Sequence, residues 1–456
     1  MNLNDLRNIY FIGIGGIGMS ALARYFKGRG LIVSGYDKTE TPLTKALVAE
    51  GIAVHYTEDI AQIPQGVDLV VYTPAVPADH KELLHFQAQG LPVKKRAEVL
   101  GIISRGMKTI AVAGTHGKTT TSTMVAHLLH SGGVECAAFL GGISLNFGTN
   151  FIHSNGEWVV VEADEYDRSF LQLDPDLAIV TSVEADHLDI YGDHEQLIET
   201  GYRAFAKKLK PGGKLWANVV CESYFEDLDG TDSYGVDGGN YRSENIRMEN
   251  GRVTFDFTCP QLSMKGAQLG VPGRHNVENA TAAIAVALEA GASPQGILAG
   301  LASFRGTRRR FEIVWRSDDL VYVDDYAHHP TELEATIGAA RMYFPGKKLT
   351  GIFQPHLYSR TRDFAQEFAQ ALDQLDEVLL LDIYPARELP IAGVSSEMVF
   401  ELMQNPNKRL VSKTNLLAAL AATETDVLLT MGAGDIDTFT APIAEALEKR
   451  FSNLSI

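Results

Sequence analysis

Short apolar runs and longer amphipathic runs alternate along the whole chain. In the first part of the sequence, apolar runs predict strands at Asn8 to Ile14, Leu31 to Tyr36, Val67 to Tyr72 and Leu91 to Val93. The amphipathic run from Met19 to Gly28 predicts a helix between the first two strands. Strands that alternate with helices are typical of a parallel sheet.

The same alternation continues to the end of the chain. Further strands are predicted at the following apolar runs: Thr109 to Ala113, Trp158 to Val161, Leu177 to Thr181, Leu320 to Asp324, Lys348 to Phe353, Glu377 to Leu381 and Val427 to Met431. The acidic, Gly-rich stretch from Cys221 to Gly251 indicates loops and edge strands, and the Ala-rich stretch from Asn276 to Leu288 indicates a helix. The pattern predicts an α/β protein of three domains: a Rossmann-like domain at 1–107, a central P-loop ATPase-like parallel sheet at 108–312 and a Rossmann-like domain at 313–456.

Composition narrows the possible partners. The chain has 40 Lys and Arg against 57 Asp and Glu, a formal net charge of −17, which disfavours binding to nucleic acid or an anionic membrane. Three cysteines are too few for a disulfide framework in a chain of 456 residues. With neither a leader-like start nor an apolar run long enough to span a bilayer, the sequence predicts a cytoplasmic protein.

A phosphate-binding loop follows the strand that ends at Ala113. Gly114 to Thr121 reads Gly-Thr-His-Gly-Lys-Thr-Thr-Thr, a Gly-rich turn into a helix whose backbone N–H groups can hold nucleotide phosphates. Lys118 supplies a charge for the phosphates and Thr119 a hydroxyl for Mg²⁺. A strict Walker A motif requires Gly at position 112, where this chain has Val112, so the loop is a variant.

A second Gly-rich loop lies near the N-terminus. Gly13, Gly15, Gly16 and Gly18 form G-x-G-G-x-G between the first strand and the first helix, and Asp37 ends the second strand. This arrangement predicts a diphosphate site with an acid beside a ribose. It does not by itself identify NAD as the ligand.

Acidic residues follow two strands of the central domain. Glu162 ends one strand and is a candidate to complete the Mg²⁺ shell, whereas Asp164 and Glu165 are equally compatible with a metal and with a solvated turn. His187 follows the next strand, and its neighbours favour a functional role.

Polar clusters also mark the third domain. Arg308 to Arg310 form a basic cluster at its start, a candidate clamp for polyphosphate. Asp324 to Pro330 follows a predicted strand and contains two acids, a Tyr and two His, which favour a contact with adenosine or substrate over a zinc site. Gln354 to Arg362 also follows a predicted strand and combines two Arg, a His and a Tyr, which suits a carboxylate or phosphate ligand.

Together these motifs resemble the Mur ligases, ATP-dependent amide-forming enzymes of peptidoglycan precursor synthesis, and the resemblance covers the chain from end to end. It implies ATP and Mg²⁺ as cofactors, with Lys118, Glu162 and His187 as catalytic residues and Thr119, Glu162 and His187 at the metal. The implied ATP contacts are Gly114, Thr115, His116, Gly117, Lys118, Thr119, Thr120, Asn276, Arg310 and Asp325. The implied UDP-sugar contacts are Gly13, Gly15, Gly16, Gly18 and Asp37, and the other substrate contacts are Tyr326, His328, His356 and Arg360.

Within the family, the loop at Gly13 to Gly18 and the motifs after Asp325 and Phe353 resemble the members that join L-alanine to UDP-N-acetylmuramate. Two positions are informative. Leu357 stands where those members typically carry Arg, and Tyr202 stands where later members of the pathway carry a carbamoylated Lys. The expected partners are therefore small molecules, namely UDP-N-acetylmuramate, L-alanine and ATP, and the protein is expected to be a monomer or weak homodimer.

Three alternatives remain. One is a recycling ligase that attaches a whole tripeptide to the same UDP-sugar. An NAD-dependent dehydrogenase would use the loop at Gly13 to Gly18 and leave Gly114 to Thr121 unexplained. A non-catalytic nucleotide-binding regulator is disfavoured by the joint presence of Lys118, Thr119, Glu162 and His187.

Overall fold

The structure is a computed structural model that describes residues 3–185, 188–249, 252–386 and 388–452. The chain divides into two compact units. Unit 1 consists of Met1–Asn245, Phe255–Gln268 and Val277–Arg305, and unit 2 consists of Ile246–Thr254, Leu269–Asn276 and Gly306–Ile456.

Strands recur through the whole described chain. In chain order they are β1 Asn8–Ile12, β2 Ile32–Tyr36, β3 Ala53–His55, β4 Leu69–Tyr72, β5 Val93–Lys95, β6 Lys108–Ala113, β7 Cys136–Phe139, β8 Phe151–Ile152, β9 Trp158–Glu162, β10 Leu177–Val180, β11 Lys214–Asn218, β12 Thr231–Val236, β13 Tyr241–Glu249, β14 Arg252–Thr258, β15 Ser263–Leu269, β16 Glu312–Arg316, β17 Val321–Asp325, β18 Leu349–Phe353, β19 Glu377–Leu380, β20 Lys408–Leu410 and β21 Val427–Met431.

Helices connect most of these strands. In chain order they are α1 Ile17–Gly28, α2 Pro42–Ala49, α3 Lys81–Ala88, α4 Arg96–Arg105, α5 Lys118–Ser131, α6 Leu188–Tyr191, α7 His194–Leu197, α8 Arg203–Ala206, α9 Arg274–Glu289, α10 Pro294–Ser303, α11 Pro330–Tyr343, α12 Tyr358–Asp363, α13 Ala365–Leu372, α14 Ser396–Leu402, α15 Leu416–Ala421 and α16 Thr440–Ser452. A π-helical turn, Ile198–Tyr202, joins α7 to α8. None of the described helices has the length and apolar character needed to cross a membrane.

The first sheet has the order β3-β2-β1-β4-β5 among the described residues, and all its neighbouring strands are parallel. The strand order reverses at β1, because the chain moves outward to β2 and β3 on one side and then to β4 and β5 on the other. Ligands of open α/β sheets bind beside such a reversal, at the carboxyl ends of the strands. Gly13 follows β1 at this point.

The central sheet has the order β15-β14-β13-β12-β11-β10-β6-β9-β7-β8 among the described residues. Its core strand β6 pairs in parallel with β10 and β9, so the phosphate loop after β6 lies at a second reversal of strand order. The first and central sheets share one apolar core in unit 1, where Tyr25 of α1 lies against Phe139 and Phe151 of the central sheet, with ring centroids 5.5 and 5.9 Å away.

Unit 2 contains the third sheet, with the order β16-β17-β21-β18-β19-β20 among the described residues. Its strands are parallel except for β16, which runs antiparallel to β17 at one edge. Alternate residues of β17 enter different cores: Val321 and Val323 pack on one face of the sheet and Tyr322 on the other. The sheet is therefore covered by helices on both faces, as parallel sheets require.

The predicted α/β class with parallel sheets is confirmed. The domain boundaries at 107/108 and 312/313 stay predictions. One segment differs from the expectation: the stretch from Cys221 to Gly251 contains β12 and β13, which have sheet neighbours on both sides. Gly and Asp have low strand propensity, which explains the expectation of loops and edge strands here; in β13 the buried residues Tyr241 and Ser243 lie on one face.

Candidate functional site

The loop after β6 turns directly into α5. Gly114 has φ +132°, and a Cβ atom there would lie 1.9 Å from the Thr181 Oγ1 atom. Gly117, the residue before α5, has φ +79°, and a Cβ atom there would lie 2.7 Å from the Asn279 Oδ1 atom. Both positions therefore require glycine, for backbone conformation and for space.

The loop is held from the segment that follows β10. The Thr115 N–H donates to the Ser182 carbonyl at 3.0 Å, and the Glu184 N–H donates to the Thr115 hydroxyl at 2.8 Å. The His116 N–H donates to the Ser182 hydroxyl at 3.1 Å, and the Thr181 hydroxyl donates to the His116 carbonyl at 2.5 Å. These bonds join residues about 65 apart in sequence, so the loop is held in place by the segment that follows a neighbouring strand of the sheet.

Lys118 begins α5 and turns its side chain back into the loop. Its Nζ atom donates to the Gly114 carbonyl at 2.6 Å and the Thr115 carbonyl at 3.3 Å. It also lies 2.9 Å from the Oε1 atom and 2.8 Å from the Oε2 atom of Glu165. The Lys118 and Glu165 side chains are 13% and 3% exposed, which makes this a buried ion pair.

The charges around Lys118 keep its ammonium group protonated. Burial acts to lower the pKa of Lys118, but the negative charges of Glu165, Asp164 and Glu162 outweigh burial and raise it. Burial also raises the pKa of Glu165, and the charge of Lys118 offsets only part of that effect. The Glu165 side chain is buried, so it is not part of a solvated acidic turn.

Two of the predicted metal ligands lie on adjacent elements. Thr119 is buried in the first turn of α5, followed by Thr120, and Glu162 ends β9, where it is in register with Val112 of β6. The Glu162 Oε2 atom accepts from the Gly141 N–H at 3.1 Å. A hydroxyl and a carboxylate are oxygen donors of the kind that Mg²⁺ prefers, so these residues fit that ion. His187 lies outside the described residues.

The N-terminal loop joins β1 to α1. The Gly13 and Ile14 N–H groups both donate to the Tyr36 carbonyl, at 2.8 and 3.0 Å, and Gly16 precedes the first residue of α1. The Asp37 carboxylate accepts from the Gly15 N–H at 2.7 Å. In this structure Asp37 therefore accepts a hydrogen bond from the loop backbone. Its contact with a ribose stays a prediction.

Arg96 links this loop to the acidic run of the central sheet. A Cβ atom at Gly18 would lie 2.4 Å from the Arg96 Nη1 atom, and Arg96 Nη2 lies 3.4 Å from Asp164 Oδ2. The adjacent Lys95 pairs with Asp167 at 2.8 Å. A cavity of about 90 Å³ opens here, lined by polar residues and an apolar wall: Ile17, Gly18, Ala21, Leu22, Arg96, Leu100, Phe139, Leu140, Gly141, Glu162 and Asp164. The cavity is large enough for part of a ligand, which would contact both α1 and Glu162.

In unit 2, three predicted substrate residues lie together at the carboxyl ends of the sheet. The Tyr326 ring lies 5.2 Å from the His328 ring, and the His328 ring lies 5.8 Å from the His356 ring. His356 also stacks on Tyr384, with centroids 5.9 Å apart. These side chains come from segments after β17, β18 and β19, which end at the same edge of the sheet.

Two arginines flank the Tyr326 ring. The guanidinium carbons of Arg309 and Arg310 lie 5.1 and 5.2 Å from its centroid. Arg309 also donates to the Asp324 carboxylate at 3.0 Å, and Arg310 lies 3.5 Å from Glu332 Oε1. Within the basic cluster, Arg310 therefore lies between the Tyr326 ring and Glu332 of α11. Arg309 is instead hydrogen-bonded to Asp324 at the end of β17.

Asp325 is a buried carboxylate that organises the same edge. Its oxygens accept from the Phe311 N–H and the Ala327 N–H, each at 2.7 Å. Burial raises the pKa of Asp325 to about 6, although the charge of Arg310 acts to lower it. The role that the sequence predicts for Asp325 at an ATP ribose stays a prediction, while its hold on two backbone N–H groups is direct.

The other two predicted residues of unit 2 lie elsewhere in it. Asn276 is buried, and its side-chain amide donates to the Pro272 carbonyl at 2.5 Å. Arg360 lies in α12, which begins directly after Leu357. Leu357 has a φ of +71°, in the left-handed region that residues other than glycine rarely adopt. The Leu357 N–H donates to the Tyr384 carbonyl at 3.0 Å, which ties the start of α12 to the stacked pair.

Three residues with direct contacts to the candidate site are absent from the predicted set: Glu165, Arg96 and Glu332. Glu165 belongs to the acidic run after β9, where its role was left open, and Glu332 lies two residues beyond the motif from Asp324 to Pro330, so both positions carried a usable signal. Arg96 follows the last strand of the first sheet, and no pattern in the sequence separates it from an ordinary helix start.

Two phosphate-type loops at reversals of strand order, one with a lysine at the start of a helix, define a nucleotide-phosphate-binding enzyme of the α/β class. Three family models match the chain: the Mur ligase family catalytic domain at residues 8–108, the Mur ligase middle domain at 112–287 and the glutamate ligase domain of Mur ligases at 309–434. The chain belongs to the Mur ligase family, and it is an ATP-dependent ligase.

Individual relatives match over their full lengths. The UDP-N-acetylmuramate–L-alanine ligase of Cytophaga hutchinsonii is 51% identical over 463 aligned positions, which cover 99% of each chain. The crystal structure of the UDP-N-acetylmuramate-alanine ligase of Thermotoga maritima superposes with a TM-score of 0.85 at 30% identity, covering 97% of this chain and 99% of the other. A murein peptide ligase of Psychrobacter arcticus shares the fold, with a TM-score of 0.71 at 24% identity over 97% and 98% of the chains.

Proposed function

We propose that this protein joins L-alanine to the carboxylate of UDP-N-acetylmuramate at the expense of ATP, a step in peptidoglycan precursor synthesis. The observation that carries the proposal is the 51% identity, over the whole chain, to a ligase of that name. The placement of Lys118 in a preformed phosphate loop supports ATP as the energy source.

In the proposed reaction, the muramoyl carboxylate attacks the γ-phosphate of ATP and releases ADP. The amine of L-alanine then attacks the resulting acyl phosphate, and inorganic phosphate leaves through a tetrahedral intermediate. Loop N–H groups and Lys118 would stabilise the charge on the transferred phosphoryl group. Mg²⁺, held by Thr119, Glu162 and His187, would supply further positive charge at the phosphates.

The remaining predicted residues have complementary tasks in this proposal. The loop from Gly13 to Gly18 would hold the UDP diphosphate at the start of α1, where backbone N–H groups favour an anion. Tyr326, His328, His356 and Arg360 would orient the amino acid, since they combine aromatic, imidazole and guanidinium groups. The family resemblance assigns Arg310 to the ATP phosphates.

The test is phosphate release from ATP in the presence of UDP-N-acetylmuramate and Mg²⁺, with one amine at a time. Fast release with L-alanine and slow release with the tripeptide supports the proposal. Equal or faster release with the tripeptide would replace it with the recycling ligase. Calorimetry with NAD, with UDP-N-acetylmuramate as competitor, separates a diphosphate site for the UDP-sugar from a dinucleotide site.

Two further properties belong to the proposal. We propose a cytoplasmic location, where ATP is available and the three buried cysteines stay reduced. We also propose a monomer or weak homodimer whose partners are small molecules, with neither nucleic acid nor a membrane among them, as the net charge of −17 favours.

A further inference from the structure

The ammonium group of Lys118 is already engaged by the protein. Its contacts are two loop carbonyls, at 2.6 and 3.3 Å, and both oxygens of Glu165, at 2.9 and 2.8 Å. A lysine that binds phosphate oxygens must exchange at least the carboxylate contact, because an ammonium has three N–H donors. The Glu165 contact is therefore in competition with any polyphosphate that enters the loop.

Glu165 is held firmly enough to compete. Its side chain is 3% exposed, and its carbonyl accepts from the Tyr191 hydroxyl at 2.7 Å. It directly precedes the 3₁₀ helix Tyr166–Gln172, whose next residues pack against the central sheet. The backbone of Glu165 is thus anchored, and its carboxylate lies away from solvent beside the ammonium group.

The other acids of the run have different partners. Glu162 accepts from the Gly141 N–H, Asp164 lies beside Arg96, and Asp167 pairs with Lys95. Glu165 thus contacts the phosphate-loop lysine directly, whereas Glu162 and Asp164 act on it through their charges.

We propose that Glu165 is a positioning residue for Lys118, which holds the ammonium inside the empty phosphate loop and competes with nucleotide phosphates for it. This inference rests on the proposed use of ATP. When nucleotide occupies the loop, the buried carboxylate is left without its cation close to a polyphosphate. The pair thereby weakens nucleotide binding and favours release of ADP, after which Lys118 returns to Glu165.

The test is the affinity for ADP with Mg²⁺, measured by calorimetry, because it involves neither UDP-sugar nor amine. In Glu165→Gln the competing charge is lost, and ADP binds about tenfold more tightly. Glu165→Asp keeps the charge but withdraws it by one methylene, so its ADP affinity lies between those of Glu165→Gln and the wild type. Any other order of the three affinities overturns the proposal, and a fall in affinity for Glu165→Gln would make Glu165 a structural residue.

A matched control removes a similar contact away from the loop. Lys214 and Glu289 lie 2.8 Å apart in unit 1, with side chains 39% and 33% exposed. Glu289→Gln leaves ADP affinity within about twofold of the wild type, and equal tightening there would assign the effect to net charge and refute the proposal.

Turnover gives a second readout. With saturating substrates, Glu165→Gln lowers kcat, because the carboxylate no longer positions the Lys118 ammonium group. It also lowers the KM for ATP, because the nucleotide is bound more tightly. A raised KM with unchanged kcat contradicts the proposal. If L-alanine proves not to be the substrate, the proposed function fails, but the order of ADP affinities still decides the role of Glu165.

Discussion

Replacing Lys118 with Met should destabilise unit 1, because it leaves Glu165 buried without its cation. The Nζ–Oε2 distance is 2.8 Å, which corresponds to an attraction of about 6 kcal/mol at an effective dielectric constant of about 20. Much of that attraction only offsets the cost of burying both charges. Removing one partner of a buried pair should lower the free energy of unfolding by about 3–5 kcal/mol.

Two comparisons isolate the cause. The double variant Lys118→Met with Glu165→Gln has no unpaired charge and should recover most of the lost free energy of unfolding. Lys214→Met breaks a contact of equal length whose side chains are 39% and 33% exposed, so it should cost at most about 1 kcal/mol.

Urea denaturation followed by tryptophan fluorescence measures these differences. Trp158 and Trp216 lie in the central sheet of unit 1, and replacing Trp315 with Phe removes the signal from unit 2. The deficit of Lys118→Met should also depend on pH. In the wild type the charge of Lys118 offsets part of the rise that burial causes in the pKa of Glu165, and Lys118→Met loses that offset. The ionised carboxylate therefore costs the variant more stability at pH 8, and the extra cost disappears as the pH falls below the unfolded pKa of about 4.3. A loss under about 1 kcal/mol at pH 8, or a double variant no more stable than the single one, would refute this reasoning.

Further predictions concern activity, pH and loop geometry. Lys118→Ala should reduce ATP-dependent phosphate release by more than about 100-fold without changing the circular dichroism spectrum, and a reduction of less than about tenfold would exclude its role at the transferred phosphoryl group. Asp325→Asn should lower the Tm, and the loss relative to the wild type should be larger at pH 5 than at pH 8. Because the folded pKa of Asp325 is about 6, the wild type loses up to about 3 kcal/mol of its free energy of unfolding as the pH rises from about 4 to above 6. Asn does not titrate, so the variant lacks this pH dependence. Equal deficits at both pH values would contradict that assignment. Gly114→Ala should lower the free energy of unfolding by more than about 3 kcal/mol and abolish ADP binding, because its Cβ would lie 1.9 Å from Thr181 Oγ1. Gly133→Ala is the control, since its φ is +86° with no neighbour within 4 Å of the new Cβ, and should cost only about 1–2 kcal/mol; similar losses for both would show that space at Gly114 is unimportant.

Eleven of the described strands, the helices α1 and α9 and both Gly-rich loops could be predicted from the sequence because their signals are local. Apolar runs of strand length separated by amphipathic stretches predict parallel sheets, and β1, β6, β17, β18 and β21 lie where the pattern places them. Glycine before a helix with Lys and Thr indicates a phosphate loop through backbone geometry over a few residues. Edge strands such as β3, β16 and β20 and the segment that contains β12 and β13 were not predicted, because these strands are stabilised by their sheet neighbours and carry weak local signals.

The partners of the charged side chains were decided by tertiary structure alone. Lys118 and Glu165 are 47 positions apart, and Arg96 and Asp164 are 68 apart. Which acid of the run from Glu162 to Asp167 meets the lysine depends on the parallel register of β6 with β9 and on the turn that follows β9. The sequence determines that acids and a lysine reach the same edge of the sheet, whereas the pairing and the burial that give each charge its energy arise only when the strands are assembled.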